Sequence, residues 1–414
     1  MFRTYDIRGI YSKDLTPQAF LVLGKALEKF SKTLVAGMDY RKNNPRLLAS
    51  LLSGFEGEAQ VMGFAPTPAI AFNSVELGVS LTASHNPPEY NGLKPLKHKR
   101  SFFVEELAEL KKEYEKRKIE LVKPSLIREN LSENPELLTH YLDSLPEFGK
   151  AVFDLAGGAV CSFKQVFPKA IFDLPDPTFV RHSAEPTPDA LGVLLSETRK
   201  NVCLGFAFDG DGDRCAAVDS GKIVDSGALA AFYASNHLAK GSTVVVTLDV
   251  QDEVFVFLQD NGFKPHYSAV GDVFVLKKAE ELGADFAAEK GGHYSMMKHM
   301  PYSDGVYFSA LLSRAKPGEL NDFAKQFKSV FLSDKIENVA VDFTKLKQLV
   351  ESKAPLRIET IDGVKASFDD YTFLIRASNT QPLVRISVEA RDRQKGLQGL
   401  EFAKEFVSKC LIGR

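Results

Sequence analysis

Short apolar runs alternate with amphipathic segments along the first part of the chain. Three strand-like runs, TLVAGMDY, AQVMGF and GVSLTASH, are separated by NPRLLASLLSGF and PTPAIAFNSVEL, which have helical spacing. An order of strand, helix and strand is typical of a mostly parallel, doubly wound sheet. The pattern therefore predicts an α/β domain.

The same order restarts twice further along. AVFDLAGG, AIFDLP, the helical LGVLLSETRK and CLGFAF form a second set, and STVVVTLD, DEVFVFLQDNGF, HYSAVGD, VFVLKKAEELGA and DFAAEK form a third. Three α/β units of related topology are therefore predicted in tandem.

The last section has a different pattern. KIENVAVDFTKLKQLVES predicts a strand and a helix, RIETIDGVKASF, YTFLIRAS and PLVRISVEA predict clustered strands, and LQGLEFAKEFVSKCL predicts a closing helix. Clustered strands beside helices indicate an α+β domain with an antiparallel sheet. The predicted domains cover residues 1–130, 131–225, 226–334 and 335–414.

Composition narrows the class of protein. The chain has 414 residues, with 52 basic and 54 acidic side chains. Several domains fit this length, and the near-balance of charge gives no reason to expect nucleic acid or an anionic membrane as partner. The charged start MFRTYDIRGI is no secretory signal, and no run is apolar enough to span a bilayer. The scattered cysteines, without a CxxC pair, indicate a reduced cytoplasmic protein.

Residues 82–94, TASHNPPEYNGLK, place a serine beside a histidine after a predicted strand. The carboxyl ends of parallel strands are where α/β proteins bind ligands. Ser84, His85 and Lys94 are therefore candidate functional residues in an exposed loop, although the same residue types also form ordinary turns. No acidic partner is evident for a Ser-His-Asp hydrolase, and the GxSxG elbow is missing.

Three aspartates alternate with glycines in DGDGDR, which begins at Asp209. Carboxylates this close together repel one another unless a cation lies between them. Glycines let the backbone bend so that all three can reach one hard cation. An EF-hand is excluded because Arg214 and Ser220 stand where its glycine and glutamate would be. Asp209, Asp211 and Asp213 are the predicted metal ligands, and Arg214 fits a phosphate.

Two further segments offer binding groups. AEKGGHY contains Glu289, Gly291 and His293; a glycine turn explains it by itself, and a carbohydrate site is the alternative. RASNTQPLVR offers guanidinium, hydroxyl and amide groups that suit a dianionic phosphate, where the alternative is a solvated hairpin. Its candidate residues are Arg376, Ser378, Asn379, Thr380 and Arg385.

These four segments, in this order, resemble the active-site loops of the α-D-phosphohexomutase superfamily, which includes phosphomannomutase, phosphoglucomutase and phosphoglucosamine mutase. TASHNPPEYNGLK resembles the phosphoserine loop, DGDGDR the metal loop, AEKGGH the sugar loop and RASNTQPLVR the phosphate loop. The opening TYDIRG, which contains Arg8, is similar too. The resemblance spans the chain and implies four domains around a central cleft, namely three doubly wound α/β domains of related topology and a C-terminal α+β domain.

The resemblance also implies a role for each residue. Ser84 would carry the phosphoryl group and, with Asp209, Asp211 and Asp213, would bind Mg²⁺. Arg8, His85, Lys94 and Arg214 would surround the reacting phosphoryl. Glu289 and His293 would contact the sugar, with Gly291 in place of the family's usual serine. The substrate's other phosphate would be bound by Arg376, Ser378, Asn379, Thr380 and Arg385.

The implied activity is an isomerase reaction, an intramolecular phosphoryl transfer between hexose 1-phosphate and hexose 6-phosphate of mannose or glucose. The reaction would pass through phosphoserine and a hexose 1,6-bisphosphate intermediate. The same bisphosphate would also be the activator. Phosphoglucosamine mutase is the main alternative, followed by a phosphopentomutase, a sugar-phosphate phosphatase and a noncatalytic binder. The expected partner is a phosphosugar, with no nucleic acid and no membrane. The oligomeric state stays open, with a homodimer as one candidate.

Overall fold

The computed structural model describes residues 1–119, 132–378 and 383–412. The chain forms two compact units, one of Met1–Leu229 with Gly291–Asp322 and the other of Ala230–Lys290 with Phe323–Arg414. Within the described ranges, no helix combines the length and the apolar character needed to cross a bilayer.

The first sheet is built around a parallel trio. β2 lies between β3 and β4 and runs parallel to both, whereas β5 pairs with β4, β1 and β6 in antiparallel fashion. The sheet is therefore mixed, with antiparallel strands beside the parallel ones that the pattern predicted. Its elements are β1 Ile7–Ile10, α1 Pro17–Leu27, β2 Thr33–Met38, α2 Asn44–Gly54, β3 Glu58–Phe64, α3 Thr67–Asn73, β4 Gly78–Leu81, β5 Tyr90–Lys97, β6 Arg100–Ser101 and α4 Val104–Ile119.

The second sheet repeats this plan. β7 lies between β8 and β9 and is parallel to both, and β10 and β11 continue the sheet in antiparallel fashion. The elements are α5 Pro135–Leu142, β7 Ala151–Asp154, a 3-10 helix over Ala159–Val166, β8 Ala170–Ile171, α6 Gly192–Asn201, β9 Leu204–Phe208, β10 Cys215–Asp219, β11 Lys222–Val224 and α7 Ser226–His237.

The third sheet has the same parallel trio, with β12 between β13 and β14. In all three sheets, the first strand of the trio in sequence is central, and the next two flank it. This shared order confirms the predicted α/β domains of related topology. The elements are β12 Thr243–Thr247, α8 Asp252–Asp260, β13 Lys264–Ser268, α9 Asp272–Leu282, β14 Phe286–Ala288, β15 Tyr294–Met296, α10 Gly305–Leu312 and α11 Glu319–Ala324.

The fourth sheet is antiparallel throughout, in the order β16, β20, β19, β18 and β17. It shares an apolar core with α12 and α13, which includes Phe373, Ile386 and Phe406. The predicted α+β pattern is confirmed, although the strand predicted from Lys335 begins earlier, at Val330. The elements are β16 Val330–Glu337, α12 Phe343–Glu351, β17 Arg357–Glu359, β18 Val364–Ser367, β19 Tyr371–Ala377, β20 Leu383–Ala390 and α13 Arg393–Lys409.

Polar residues fix where several helices begin. The Thr16 hydroxyl accepts a hydrogen bond from the Ala19 N–H at the start of α1, and Pro17 follows it directly. The Asp304 carboxylate does the same for α10. Side-chain acceptors satisfy N–H groups that the first helical turn leaves without partners.

Candidate functional site

Ser84 lies in the turn that follows β4, in the first unit. Its side-chain hydroxyl donates to Asp209 Oδ2 at 2.8 Å and lies 3.2 Å from His85 Nδ1. Its backbone φ of +50° is in the left-handed region. The predicted exposure of this loop is wrong at Ser84, which is only 2% exposed, and holds for Pro87, Pro88 and Glu89.

The metal loop covers this serine. Gly210 packs so closely on the Ser84 carbonyl oxygen that a Cβ at this position would lie 2.6 Å from it. No side chain fits there, so the first glycine of DGDGDR is required by the close approach of two backbones. The alternation of glycine with aspartate therefore brings the acidic loop onto the serine loop.

The three aspartates of the metal loop converge between the end of β9 and the start of β10. Asp209, Asp211 and Asp213 are all fully buried, and each offers an oxygen within 4.8 Å of those of the other two. Lys94 Nζ, on β5, donates to Asp211 Oδ2 and Asp213 Oδ2 at 2.6 Å each. The predicted convergence of the three carboxylates is present.

The cluster has more acidic groups than basic ones, with three aspartates facing Lys94. Burial raises the pKa of Asp209 well above the usual range of an aspartate, and Asp211 and Asp213 raise it further. Burial alone would lower the pKa of Lys94, but the facing aspartates outweigh it, and this pKa is raised well above its usual value. The carboxylates therefore favour additional positive charge.

Two oxygens of the cluster point to a cation. Asp211 Oδ1 and Asp213 Oδ1 are buried and accept no hydrogen bond from the residues that the structure describes. An unsatisfied buried acceptor is costly, whereas hard divalent cations bind carboxylate oxygens. The three aspartates could therefore hold a metal ion.

Basic groups surround the serine and the metal loop. Arg8 donates to Asn86 Oδ1 at 2.7 Å and also pairs with Asp6. The Arg214 backbone N–H donates to Asp209 Oδ1 at 3.2 Å. Burial lowers the pKa of His85 to about 2, and Arg214, Arg8 and Lys94 add to this shift, so the imidazole is neutral.

The predicted sugar loop is divided between the two units. Glu289 directly follows β14 in the second unit, whereas Gly291 and His293 belong to the first. Arg214 Nε donates to His293 Nε2 at 2.9 Å, so His293 lies against the metal loop. Burial lowers the pKa of His293 well below its usual value, with Arg214 and Lys94 contributing, and a neutral ring can accept this bond.

The predicted phosphate loop joins β19 to β20 in the second unit. Arg376 and Arg385 are cross-strand neighbours in the antiparallel pair. Like charges directly opposite each other are unfavourable, and a bound anion would relieve that repulsion. The Ser378 N–H donates to the Leu383 carbonyl at 2.9 Å. Asn379 and Thr380 lie outside the described residues.

Several residues that contact the site carried no prediction. Thr67 Oγ1 donates to Asp211 Oδ2 at 2.7 Å, and Tyr302 OH donates to Asp213 Oδ2 at 3.1 Å. Tyr302 lies outside the candidate segments, and no sequence signal pointed to it. Arg41 contacts the serine loop, and the sequence offered a signal for it. Asp39 and Arg41 are charged residues just after the apolar strand β2, where α/β proteins place functional groups.

Comparisons with known proteins agree with this arrangement. Models of the phosphoglucomutase/phosphomannomutase family match the chain over residues 1–119 for α/β/α domain I, 225–328 for α/β/α domain III and 334–403 for the C-terminal domain. A phosphomannomutase of Methanocaldococcus jannaschii is 29% identical, covering 99% of this chain and 98% of its own. A phosphoglucosamine mutase of a Thermotoga species is 30% identical, with 99% of both chains covered.

Solved structures show the same fold. A phosphoglucomutase/phosphomannomutase family protein from Burkholderia thailandensis aligns with a TM-score of 0.85 at 22% identity, over 98% of this chain and 96% of its own. The N-acetylphosphoglucosamine mutase of Aspergillus fumigatus, in complex with GlcNAc-6P and magnesium, aligns with a TM-score of 0.60 at 15% identity, over 99% and 96% of the two chains.

The relatives match over their full lengths, and the family models cover the parts of the chain that carry the serine, sugar and phosphate loops. The enzyme class is therefore that of an intramolecular phosphotransferase. The chain belongs to the α-D-phosphohexomutase superfamily.

Proposed function

We propose that the chain interconverts hexose 1-phosphate and hexose 6-phosphate of mannose or glucose, with phosphorylated Ser84 as the phosphoryl donor and acceptor. The observation that carries this proposal is the position of Ser84 Oγ, buried 2.8 Å from Asp209 Oδ2. A nucleophilic hydroxyl beside clustered carboxylates and basic groups suits phosphoryl transfer, in which charge stabilisation and positioning supply most of the catalysis.

In each half-reaction one P–O bond breaks and another forms. The bond from phosphorus to Ser84 Oγ breaks while a sugar hydroxyl oxygen bonds to phosphorus, which gives the hexose 1,6-bisphosphate. The sugar hydroxyl loses a proton, and Ser84 Oγ gains one. The neutral ring of His85, whose Nδ1 lies 3.2 Å from Oγ, can hydrogen-bond to the Ser84 hydroxyl, and Arg8, Lys94 and Arg214 would offset the charge of the phosphoryl group. The bisphosphate then reorients, and its other phosphoryl group returns to Ser84.

We propose Mg²⁺ as the metal, bound by Asp209, Asp211, Asp213 and the Ser84 phosphate. Two buried aspartate oxygens that accept no hydrogen bond from the described residues support this assignment, as does the magnesium in the Aspergillus fumigatus complex. Bound Mg²⁺ would neutralise charge on the transferring phosphoryl group.

The remaining residues are proposed to recognise substrate. Glu289 would accept hydrogen bonds from sugar hydroxyls, with His293 and Gly291 close to it in sequence. The guanidinium groups of Arg376 and Arg385 would bind the phosphate that is not reacting, with Ser378, Asn379 and Thr380. Because a guanidinium fork reads only the phosphate group, this loop would accept the 1-phosphate and the 6-phosphate alike.

Phosphoglucosamine is the alternative substrate, and the Thermotoga relative favours it. One assay separates the candidates: the protein is incubated with Mg²⁺, a trace of hexose 1,6-bisphosphate and, in turn, mannose, glucose and glucosamine 1-phosphate. Formation of 6-phosphate and release of inorganic phosphate are measured together by phosphorus NMR. We expect 6-phosphate without phosphate release. Net phosphate release would indicate a phosphatase, and no conversion of any sugar would contradict the proposal.

The cytoplasmic location and the homodimer stay predictions. All four cysteines are free, which is compatible with a reducing compartment.

A further inference from the structure

We propose that Arg41 is a positioning residue for phosphoryl transfer, which with Asp39 and Thr82 fixes the backbone of Ser84 so that its Oγ faces the metal loop. The inference rests on the proposed function, because it concerns the reaction at Ser84. It adds residues that follow strands β2 and β4 and that hydrogen-bond to the backbone of the serine loop and to one another, not to the aspartates of the metal loop.

Arg41 is completely buried, directly after β2. A guanidinium carries five N–H donors in a fixed plane, and all of these find acceptors here. Nε donates to Asp39 Oδ2 at 3.1 Å. The other N–H groups donate to four carbonyl oxygens of one turn, at 2.7 Å to Ser84, 2.6 Å to Asn86, 2.7 Å to Pro87 and 3.0 Å to Tyr90. The serine loop is therefore wrapped around a single side chain.

The other side of Ser84 is tied to the same carboxylate. The Ser84 N–H donates to Thr82 Oγ1 at 2.8 Å, and Thr82 Oγ1 donates to Asp39 Oδ2 at 2.7 Å. Asp39 Oδ1 accepts the Arg41 N–H at 2.9 Å and Asn44 Nδ2 at 2.6 Å. Asp39 thus holds the N–H of Ser84 through Thr82 and its C=O through Arg41.

These bonds hold a backbone conformation that serine disfavours. Ser84 has a φ of +50°, a left-handed conformation that a residue other than glycine keeps only where its surroundings impose it. Rotation of either flanking peptide group would turn Cβ and move Oγ away from Asp209. Because phosphoryl transfer needs attacking and leaving oxygens close to in line, small displacements of Oγ should slow the chemical step more than substrate binding.

Lysine cannot replace Arg41. Its ammonium group has only three donors on a compact head, so some of the acceptors around Arg41 would lose their partners. The fold would keep a buried positive charge beside Asp39, while the turn at Ser84 would be held less firmly. Arg41→Lys therefore tests positioning without removing the charge.

The matched control is Arg100→Lys in the same sheet. Arg100 is also buried, and its Nη1 donates to the Ser101 carbonyl at 2.9 Å and to Glu106 Oε2 at 2.7 Å. We would measure kcat and KM for hexose 1-phosphate, the melting temperature, and the rate at which hexose 1,6-bisphosphate phosphorylates Ser84. We expect Arg41→Lys to lower kcat and the phosphorylation rate by about 10²-fold, the effect of a misplaced reacting group. Its KM should stay within a factor of about three, and Arg100→Lys should change stability but not kcat.

Thr82→Val is the second variant and covers the case in which Arg41→Lys does not fold. It keeps the shape of the side chain and removes the acceptor of the Ser84 N–H, so we expect kcat to fall by about tenfold with little change in KM. The wild type must first be shown to isomerise hexose phosphate. If Arg41→Lys and Thr82→Val, or whichever of them folds, then have the same kcat as Arg100→Lys, the positioning role is wrong. If the wild type isomerises no hexose phosphate, the proposed function fails, and the positioning role fails with it.

Discussion

Each compact unit contains a buried lysine beside carboxylates. In the first, Lys94 Nζ lies 2.6 Å from both Asp211 Oδ2 and Asp213 Oδ2. In the second, Lys365 Nζ lies 2.5 Å from Asp252 Oδ1. The ion pairs have similar lengths, so distance alone does not distinguish a ligand site from a structural contact.

The two clusters differ in how their oxygens are satisfied. Asp252 Oδ1 also accepts from Tyr267 OH at 2.7 Å, and Asp252 Oδ2 accepts from Thr372 Oγ1 at 3.1 Å. Lys365 Nζ donates in addition to the Leu248 carbonyl at 2.8 Å. In the Lys94 cluster, Asp211 Oδ1 and Asp213 Oδ1 accept no hydrogen bond within the described residues.

The pKa shifts follow this difference. Burial by itself would raise the pKa of Asp252, but Lys365 outweighs it and the pKa is lowered. Asp209 has its pKa raised by burial and by two like charges. A buried carboxylate cluster whose charge and acceptor oxygens are not fully paired within the protein is typical of a ligand site. A cluster whose oxygens are all paired is typical of a structural contact.

The largest effect is expected when the hydroxyl of Ser84, beside the Lys94 cluster, is removed. Ser84→Ala should lower mutase turnover by at least about 10³-fold, because the proposed phosphoryl acceptor is lost. The fold should persist, since only one hydroxyl is removed. The control is Ser74→Ala, a buried serine of the same sheet region whose Oγ bonds the Ile70 carbonyl. Comparable turnover in the two purified variants would contradict the nucleophile assignment.

The second prediction concerns the charge of the metal loop. Asp211→Asn keeps the shape but removes a charged ligand, so the Mg²⁺ concentration for half-maximal activity should rise by at least about tenfold. Without metal, its free energy of unfolding should not fall, because repulsion with Asp209 and Asp213 decreases. Titration of EDTA-treated protein with Mg²⁺ measures the first effect, and urea unfolding measures the second. Asp173→Asn, at a surface ion pair with Lys164, is the control.

The opposite result is expected for the satisfied cluster. Asp252→Asn should lower the free energy of unfolding by about 1–3 kcal/mol, because the buried Lys365 loses the charge of its half-buried partner. Its half-maximal Mg²⁺ concentration should equal that of the wild type. The exposed Asp260 on the same helix offers Asp260→Asn as control. A changed Mg²⁺ requirement in Asp252→Asn would remove the distinction between the two clusters.

The smallest effect concerns the buried pair of His182 and Asp154. His182 Nε2 lies 3.3 Å from Asp154 Oδ2. Burial would lower the pKa of His182, but the facing Asp154 carboxylate outweighs it, and the pKa is raised. A raised folded-state pKa stabilises the fold fully below the unfolded value, about 6.5, and this contribution is lost as pH rises through the folded pKa.

His182→Gln should therefore lower stability more at pH 5 than at pH 9. Urea unfolding at both pH values measures this difference. His98→Gln, at an exposed histidine, is the control. An equal loss at both pH values would show that His182 contributes by packing and not by charge.

Local sequence patterns predicted much of the fold. The repeated strand and helix order predicted three α/β domains of related topology, and the clustered strands predicted the antiparallel sheet. These patterns are readable because they depend on the burial of neighbouring residues. The antiparallel strands of the first two sheets were missed, since β5, β10 and β11 have no pattern that reports the direction of their pairing partners.

For the site, the sequence by itself indicated the candidate reacting groups. Ser84 and the aspartates of DGDGDR stand in short segments whose composition already indicates their chemistry. Tertiary structure alone decided how these groups are held: Lys94 between two aspartates, Tyr302 on Asp213, and Arg41 inside the turn of Ser84. The reason is physical. The chemistry of a residue depends on its own side chain, which can be read from the sequence. The partners of a buried charge come from residues distant in sequence, and no local pattern predicts them.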